Sequence, residues 1–327
     1  MDNNWLNKAT NRVKKILRER RVCCGKQLEA KISEAGPNNL RAEPDFISKA
    51  LKILVKNKEI KINYYEVERN KIKFYLPKDF DLNFEEDKKR YIFITDLYKK
   101  YREIVTNQKY CGAVLEKIVQ KAVLKTKYRC LGGPGKSTNG LVINGREIKG
   151  DIDLILFGKE KEILGVECKN KREWFNPRSK DIWEIIEKCV SNKALPVIIA
   201  RKFTYNTRII FKNLGILGFE THNQYFLPSL ENEMKDIRHK DGLGFADIRF
   251  KDKPEKRYIT FFDSIVKSQE EPYRNKFFSY LDLLKEYSKQ LSQEISHKER
   301  DRLFFELLKD IGLIEKEVNV FDEDYYD

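Results

Sequence analysis

The sequence predicts an α/β protein: a mixed α+β sheet flanked by helices, preceded by a small helical unit with its own hairpin and followed by a C-terminal helical segment. Three observations carry that prediction. Apolar runs alternate with helix-period segments between residues 110 and 220; residues 1–77 hold three helical patterns and then two alternating stretches; residues 277–311 are again amphipathic. A length of 327 residues suits about two domains, and 41% hydrophobic residues suit a globular chain. The expected divisions are residues 1–77, a charged linker at 78–90, a core at 91–228, and a polar connection with helices at 229–327.

In the first unit, Trp5, Leu6, Ala9, Val13, Ile16 and Leu17 mark an amphipathic helix, and Leu28, Ile32 and Ala35 a shorter one ended by Gly36-Pro37. A third runs from about Pro44 to Asn57, with Phe46, Ile47, Ala50, Leu51 and Leu54 on one side and Ser48, Lys49, Lys52 and Lys56 on the other. Ile60–Glu66 and Lys71–Leu76 then alternate around a polar turn at Glu68-Arg69-Asn70, as a hairpin requires. Three helices followed by a hairpin resemble a winged helix. The resemblance implies DNA contact through Ser48, Lys49, Lys52 and Lys56 on the third helix and Arg69 and Lys71 on the wing. A protein-contact module with a merely solvated lysine face is the alternative. Residues 1–80 carry 19 Lys and Arg against 10 Asp and Glu, a surplus larger than half of the chain's net +14.

Residues 110–126 repeat Val114, Leu115, Ile118, Val119, Ala122 and Val123 at helical spacing, with Glu116 at the stripe's margin. The following GGPGKST at 132–138 ends like a Walker A loop, but the glycine needed five positions before Gly135 is Cys130, and the segment follows a helix rather than a strand. A loop is expected, with Lys136 a candidate DNA contact. The informative segment comes next. In GDIDLILFGKEKEILGVECK, Ile152–Phe157 and Ile163–Val166 read as two buried strands joined by a tight polar connection. If the loop spans 158–162, Asp153 faces Glu167 and Asp151 faces Lys169, while alternation sets Glu167 and Lys169 on one side and Val166 and Cys168 on the other.

Two acids facing each other in a buried ladder repel, and a bound divalent cation removes the objection. Mg²⁺ takes a few hard oxygens and keeps waters, so Asp153, Glu167 and the Cys168 carbonyl could hold one, with Lys169 stabilising developing phosphate charge. The alternative is a solvated hairpin in which Lys169 forms an ordinary ion pair. At these residues the chain resembles the PD-(D/E)xK nuclease superfamily, type II restriction endonucleases above all. Asp153 matches the first acid and Glu167-Cys168-Lys169 the second element; the family's proline is replaced by Ile152, and Asp151 competes as the metal-binding acid. The resemblance covers roughly residues 91–227 and implies a restriction-endonuclease-like core. It further implies catalytic Asp153, Glu167 and Lys169, Mg²⁺ as cofactor with Mn²⁺ a substitute, and an additional metal-site glutamate for which Glu116 stands ready. A solvated helix acid is the other reading of Glu116.

Asp181–Ser191, Pro196–Ala200, Tyr205–Asn213 and Ile216–Glu220 continue as helix, strand, helix, strand, consistent with a mixed sheet covered by helices. Asn170, Lys171 and Arg178, just past Lys169, are candidate phosphate contacts. Residues 229–257 are polar and charged. Phe277, Leu281, Leu284 and Leu291, then Leu303, Leu307 and Ile311, mark two amphipathic helices, and the acidic end FDEDYYD is expected to fray.

A pI near 9.2 favours a polyanionic partner but does not separate DNA from RNA. Six scattered cysteines without a CxxC pair and three distant histidines argue against zinc or a disulfide framework. No apolar run reaches membrane-span length, and the start lacks a secretory apolar segment, which predicts a cytoplasmic protein. Together these predict a Mg²⁺-dependent endonuclease acting on double-stranded DNA, a homodimer if both strands of a symmetric site are cut. The rivals are a repair, junction-resolving or transposon-end nuclease of the same core, a non-catalytic DNA-binding regulator, and an RNA-directed nuclease.

Overall fold

The computed structural model describes residues 3–34, 42–67, 70–107, 109–143, 145–157 and 162–314. Ala35, the Gly36-Pro37 stop, Glu68, Arg69 and the acidic FDEDYYD end lie outside the described residues. The chain divides into two compact units, residues 1–107 with 227–250, and residues 108–226 with 251–327.

In the first unit, α1 (Asn3–Arg20) buries Ala9, Val13, Ile16 and Leu17. A left-handed Arg21 turns the chain into β1 (Cys23–Cys24), and α2 (Gly25–Glu29) begins where the Cys24 N–H donates to Gln27 Oε1 at 2.9 Å. The α2 residues run on through a π-helical turn, Ala30–Glu34. Pro44 opens α3 (Pro44–Lys56), whose fixed φ suits a first helical position; Ile47, Ala50, Leu51 and Leu54 pack with the buried face of α1. Strands β2 (Ile60–Val67) and β3 (Asn70–Pro77) pair antiparallel, and β1 adds along β3 with Cys23 opposite Tyr75. The sheet order is β1-β3-β2.

Sequence patterning missed α4 (Glu85–Thr106), since Ile92 and Phe93 lie exposed beside the buried Ile94, Tyr98 and Tyr101 and blur the stripe. The charged stretch 78–90 thus enters a helix at Glu85, and the division between units falls at residues 107 and 108. The segment 227–250, polar in sequence, returns to the first unit by burying Met234, Ile237, Leu243 and Phe245. Phe245 meets Tyr101 edge-on at 5.0 Å between ring centroids.

The second unit is built on a five-stranded mixed sheet. Its elements are α5 (Gly112–Val123), β4 (Arg129–Gly132), a small hairpin of β5 (Val142–Ile143) and β6 (Arg146–Glu147), β7 (Leu154–Phe157), β8 (Ile163–Lys169), α6 (Lys180–Asn192), β9 (Leu195–Ala200), α7 (Tyr205–Leu214), β10 (Leu217–Glu220) and β11 (Gln224–Phe226). The large sheet runs β10-β9-β8-β7-β4. β4, β7 and β8 are antiparallel neighbours, whereas β8, β9 and β10 are parallel and joined through α6 and α7. Leu154 pairs with Val166 and Phe157 with Ile163, the register expected from the sequence.

Every residue of β9, and of β8 up to Cys168, is buried, as strands covered on both faces require. α6 can lie close to β8 because Gly165 has no side chain: a Cβ there would stand 2.8 Å from Cys189 Sγ. After a short helix, Lys256–Thr260, and a π-helical turn, Phe261–Val266, come three longer helices instead of the two expected: α8 (Lys267–Ser279), α9 (Leu281–Leu291) and α10 (His297–Asp310). The last two cover α6. Ser292 Oγ donates to Glu187 at 2.6 Å, and Trp183 meets Phe304 edge-on. Among the described residues no helix is long and apolar enough to cross a membrane.

Candidate active site

The antiparallel ladder of β7 and β8 stops at Leu154 and Val166, so Asp153 sits one residue beyond it. There its Oδ2 accepts the Cys168 N–H at 2.7 Å, the backbone donor next to Glu167. Two residues along β8, on the same face, Lys169 Nζ lies 2.8 Å from Glu167 Oε1. Glu167 is only 3% exposed, and its Oε2 is buried with no hydrogen-bond partner. Such an oxygen is costly unless something positive reaches it.

The electrostatics follow from that crowding. Burial, then the charges of Glu167 and Glu116, push the Asp153 carboxyl up to about 7, against the opposing hydrogen bond from Cys168. Burial, then Glu167, likewise raises Glu116 on α5. Burial works against the Lys169 ammonium, yet the charge and hydrogen bond of Glu167 outweigh it and hold the lysine above its ordinary range. Cys168, buried among these acids, has its thiol pushed far up and offers no thiolate. Asp153, Glu167, Lys169 and Glu116 thus lie near enough to feel one another's charge.

Asp151 has a different environment. It is exposed, and its Oδ1 accepts from the Thr138 N–H at 2.9 Å and the Ser137 hydroxyl at 3.1 Å. Thr138 Oγ1 donates to the Ile152 carbonyl and accepts the Ile152 N–H, both at 2.8 Å, while the Gly133 N–H donates to the Asp153 carbonyl at 2.8 Å. The GGPGKST segment is thus a clasp on the backbone that presents Asp153. Only glycine fits its first position: Gly132 has φ +86°, and a Cβ would stand 2.6 Å from the Asp153 carbonyl oxygen. Gln120 Nε2 donates to the Gly132 carbonyl at 2.9 Å, one helical turn from Glu116 on α5. Sequence reasoning missed Gln120, though its i+4 spacing from Glu116 was visible.

Other expected contacts are placed differently. Asn170 is 5% exposed, and its amide donates to the Cys111 and Tyr225 carbonyls at 2.7 and 2.6 Å and accepts the Tyr225 N–H at 2.9 Å. It is a strut between the end of β8, the start of α5 and β11, not a surface contact. Arg178 is also buried and pairs with Asp301 of α10 at 2.8 Å. Lys171 is exposed but engaged with Asp181 at 2.5 Å, whereas Lys136 is exposed in the clasp. In the first unit, Ser48 and Lys49 are half-buried, Lys52 and Lys56 are exposed, and Lys71 lies 3.6 Å from Glu66.

Among the described residues no group of three or more His, Cys, Asp and Glu side chains could hold a metal ion, so Glu116 does not join Asp153 and Glu167 in such a group. The donor chemistry nevertheless suits Mg²⁺, which is held by one or two carboxylates with waters and substrate phosphate rather than by an all-protein cage. Asp153 and Glu167, the latter with its unpartnered oxygen, are the two carboxylates that could serve as such a pair. No family model, curated protein or solved structure matches the chain.

Proposed function

We propose that this chain is a Mg²⁺-dependent endonuclease that hydrolyses phosphodiester bonds in duplex DNA, of the PD-(D/E)xK type and most like a type II restriction endonuclease. The observation that carries the proposal is the convergence of Asp153, Glu167 and Lys169 at one end of the β7–β8 hairpin, where Glu167 keeps a buried oxygen without a partner. Fold stability alone gives no reward for that arrangement. The helix-strand-helix-helix-strand-strand order of the first unit, with sheet order β1-β3-β2, supports a winged-helix reader presenting Lys52 and Lys56.

Asp153, Glu167 and the Cys168 carbonyl would hold the metal, with Glu116 nearby as a further acid outside that set. A bound Mg²⁺ supplies Lewis acidity at a phosphate oxygen and lowers the pKa of a water. Asp153 has to release its proton to serve as a ligand, so in the metal-free protein its raised carboxyl pits protons against the metal, and a bound cation would favour the ionised form. Lys169, held above its ordinary range, is charged and stabilises the negative charge that grows on the phosphorus oxygens. Hydrolysis would leave 5′-phosphate and 3′-hydroxyl ends, and two copies would cut both strands of a symmetric site.

The test is incubation with duplex DNA and with RNA, with and without Mg²⁺, for wild type and Glu167→Ala. Metal-dependent DNA cuts that disappear in the variant are expected. Tight metal-independent binding without cuts would favour a regulator, and preferential RNA breakage an RNA-directed nuclease.

A further inference from the structure

The first unit carries a second concentration of positive charge, remote in sequence from α3. The segment 227–250 folds a one-turn helix, Lys235–Arg238, and a following loop around a concavity of about 610 Å³. Lys235, Arg238, His239 and Lys240 line it with Asn232 and a single acid, Glu231. The neighbouring acid Asp241 is already engaged by Arg20.

Arg238 is backed by a ring and only loosely paired within the chain. Its guanidinium carbon lies over the Phe250 ring, 5.4 Å from the centroid, so the fork is oriented by a flat apolar surface. Nε is buried without a hydrogen-bond partner, and Nη1 lies 3.9 Å from Glu231, beyond hydrogen-bond reach. The buried Nε is out of a ligand's reach, but the exposed end of the guanidinium, only loosely paired with Glu231, matches the oxygens of a phosphate in a way that a lysine does not. Lys235 and Lys240 are exposed on either side and add point charge.

The wall of the concavity is also fixed to the rest of the unit. Gln27 Nε2 donates to the Gly242 carbonyl at 3.3 Å, and Lys31 Nζ to the Lys240 carbonyl at 3.0 Å. A basic loop tied down at its backbone keeps its side chains free to meet a partner without a large ordering cost.

We propose that this concavity binds the phosphate backbone of the nucleic acid, with Arg238 as the oriented contact and Lys235 and Lys240 beside it. The first unit would then hold its partner through 227–250 as well as through α3. The assignment rests on the nucleic-acid reading of the chain but not on cleavage. A guanidinium fork pairs with a carboxylate as well as with a phosphate, so an acidic peptide is an outcome of the test; the basic surplus of the chain, net +14, favours the nucleic-acid backbone.

The test compares wild type with the Lys235→Gln, Arg238→Gln, Lys240→Gln triple variant, both full length. Fluorescent duplex DNA is titrated without divalent metal across a salt series. The expected result is about a 10-fold or greater loss of affinity and a decrease of about 2 to 3 in the slope of log K against log salt, for three lost phosphate contacts. Unchanged affinity and slope would overturn the proposal. So would a variant that loses binding of inorganic phosphate, or of an acidic peptide, while keeping its DNA affinity. Lys235→Glu and Lys240→Glu, at exposed positions that leave the core untouched, should each weaken DNA binding further than glutamine does; no effect from either would again overturn it. If wild type never cuts DNA but the triple variant loses affinity, the nuclease reading fails and this one stands. If Glu167→Ala abolishes cutting while the triple variant binds normally, this one fails alone.

Discussion

The lysines of the first unit and the charges of the β7–β8 hairpin differ in what they cost. Lys52 and Lys56 lie in water, where a charge adds little to or subtracts little from stability, and Lys71 stands opposite an equally exposed Glu66. Glu167 and Asp153 sit beside the apolar, buried run of β8 from Ile163 to Val166, and among the described residues Lys169 is the cation paired with Glu167. Inexpensive charges bias a surface toward a class of partner. Expensive ones demand a reason, which makes the hairpin the more informative region although it holds far fewer charges.

The contrast can be broken most severely at Lys169. Lys169→Met should lower single-turnover DNA cleavage by about 10²- to 10³-fold, in the range for losing one preorganised electrostatic group, with DNA affinity nearly intact. A variant that cuts at wild-type rate would leave the lysine as a mere partner of Glu167.

Next comes stability. The Asp153 carboxyl titrates higher in the folded chain than in the unfolded one, so the folded state binds the extra proton and metal-free stability falls as pH rises from the ordinary carboxylate range through about 7. Asp153→Asn should therefore stabilise the metal-free protein at pH 8 by about 2 to 4 kcal/mol, with the advantage shrinking as pH falls toward 4. Urea denaturation at both pH values measures it. Mg²⁺ should stabilise wild type more at pH 8 than at pH 5, because protons and metal compete for one carboxylate; equal effects would argue that Asp153 is no ligand.

A smaller effect is expected in the clasp. Gly132→Ala must displace the Asp153 carbonyl or Thr138, so it should slow cleavage about 10-fold, as a misplacement near 1 Å can. Gly135→Ala, at φ +72° in open space, should cost about 1 kcal/mol of stability and leave the rate unchanged. Comparing the two rates separates positioning of Asp153 from general damage to the loop.

The smallest change belongs to the inexpensive charges. Replacing Lys49, Lys52 and Lys56 jointly with glutamine should weaken DNA binding in a salt-dependent way, by about 0.5 to 1 kcal/mol for each lysine that meets a phosphate, without altering cleavage at saturating DNA. Unmoved affinity would remove α3 from the interface.

The hairpin was legible because its signal is local: two apolar runs, a short polar connection and alternation fix which side chains share a face. The parallel strands and the helices between them were legible for the same reason, to within a residue or two. What escaped depended on distant partners. Nothing near Asn170 announces that Cys111 and Tyr225 will consume its amide, and nothing near Arg178 points to Asp301. Residues 229–257 look like a connector since their apolar residues are sparse, yet Ile237, Leu243 and Phe245 are fully buried. The α4 stripe was hidden by the exposed Ile92 and Phe93 within it.

The first unit is assembled from residues 1–107 and 227–250, with all five strands of the second unit's large sheet encoded between them. During synthesis the ribosome must therefore deliver β4 to β10 before the amino-terminal body can be finished. Asp153 and Glu167 thus emerge before Arg238 and its basic neighbours, which complete the first unit. A nascent chain stalled before residue 227 would have its acid-bearing hairpin already made and its amino-terminal body still missing a wall.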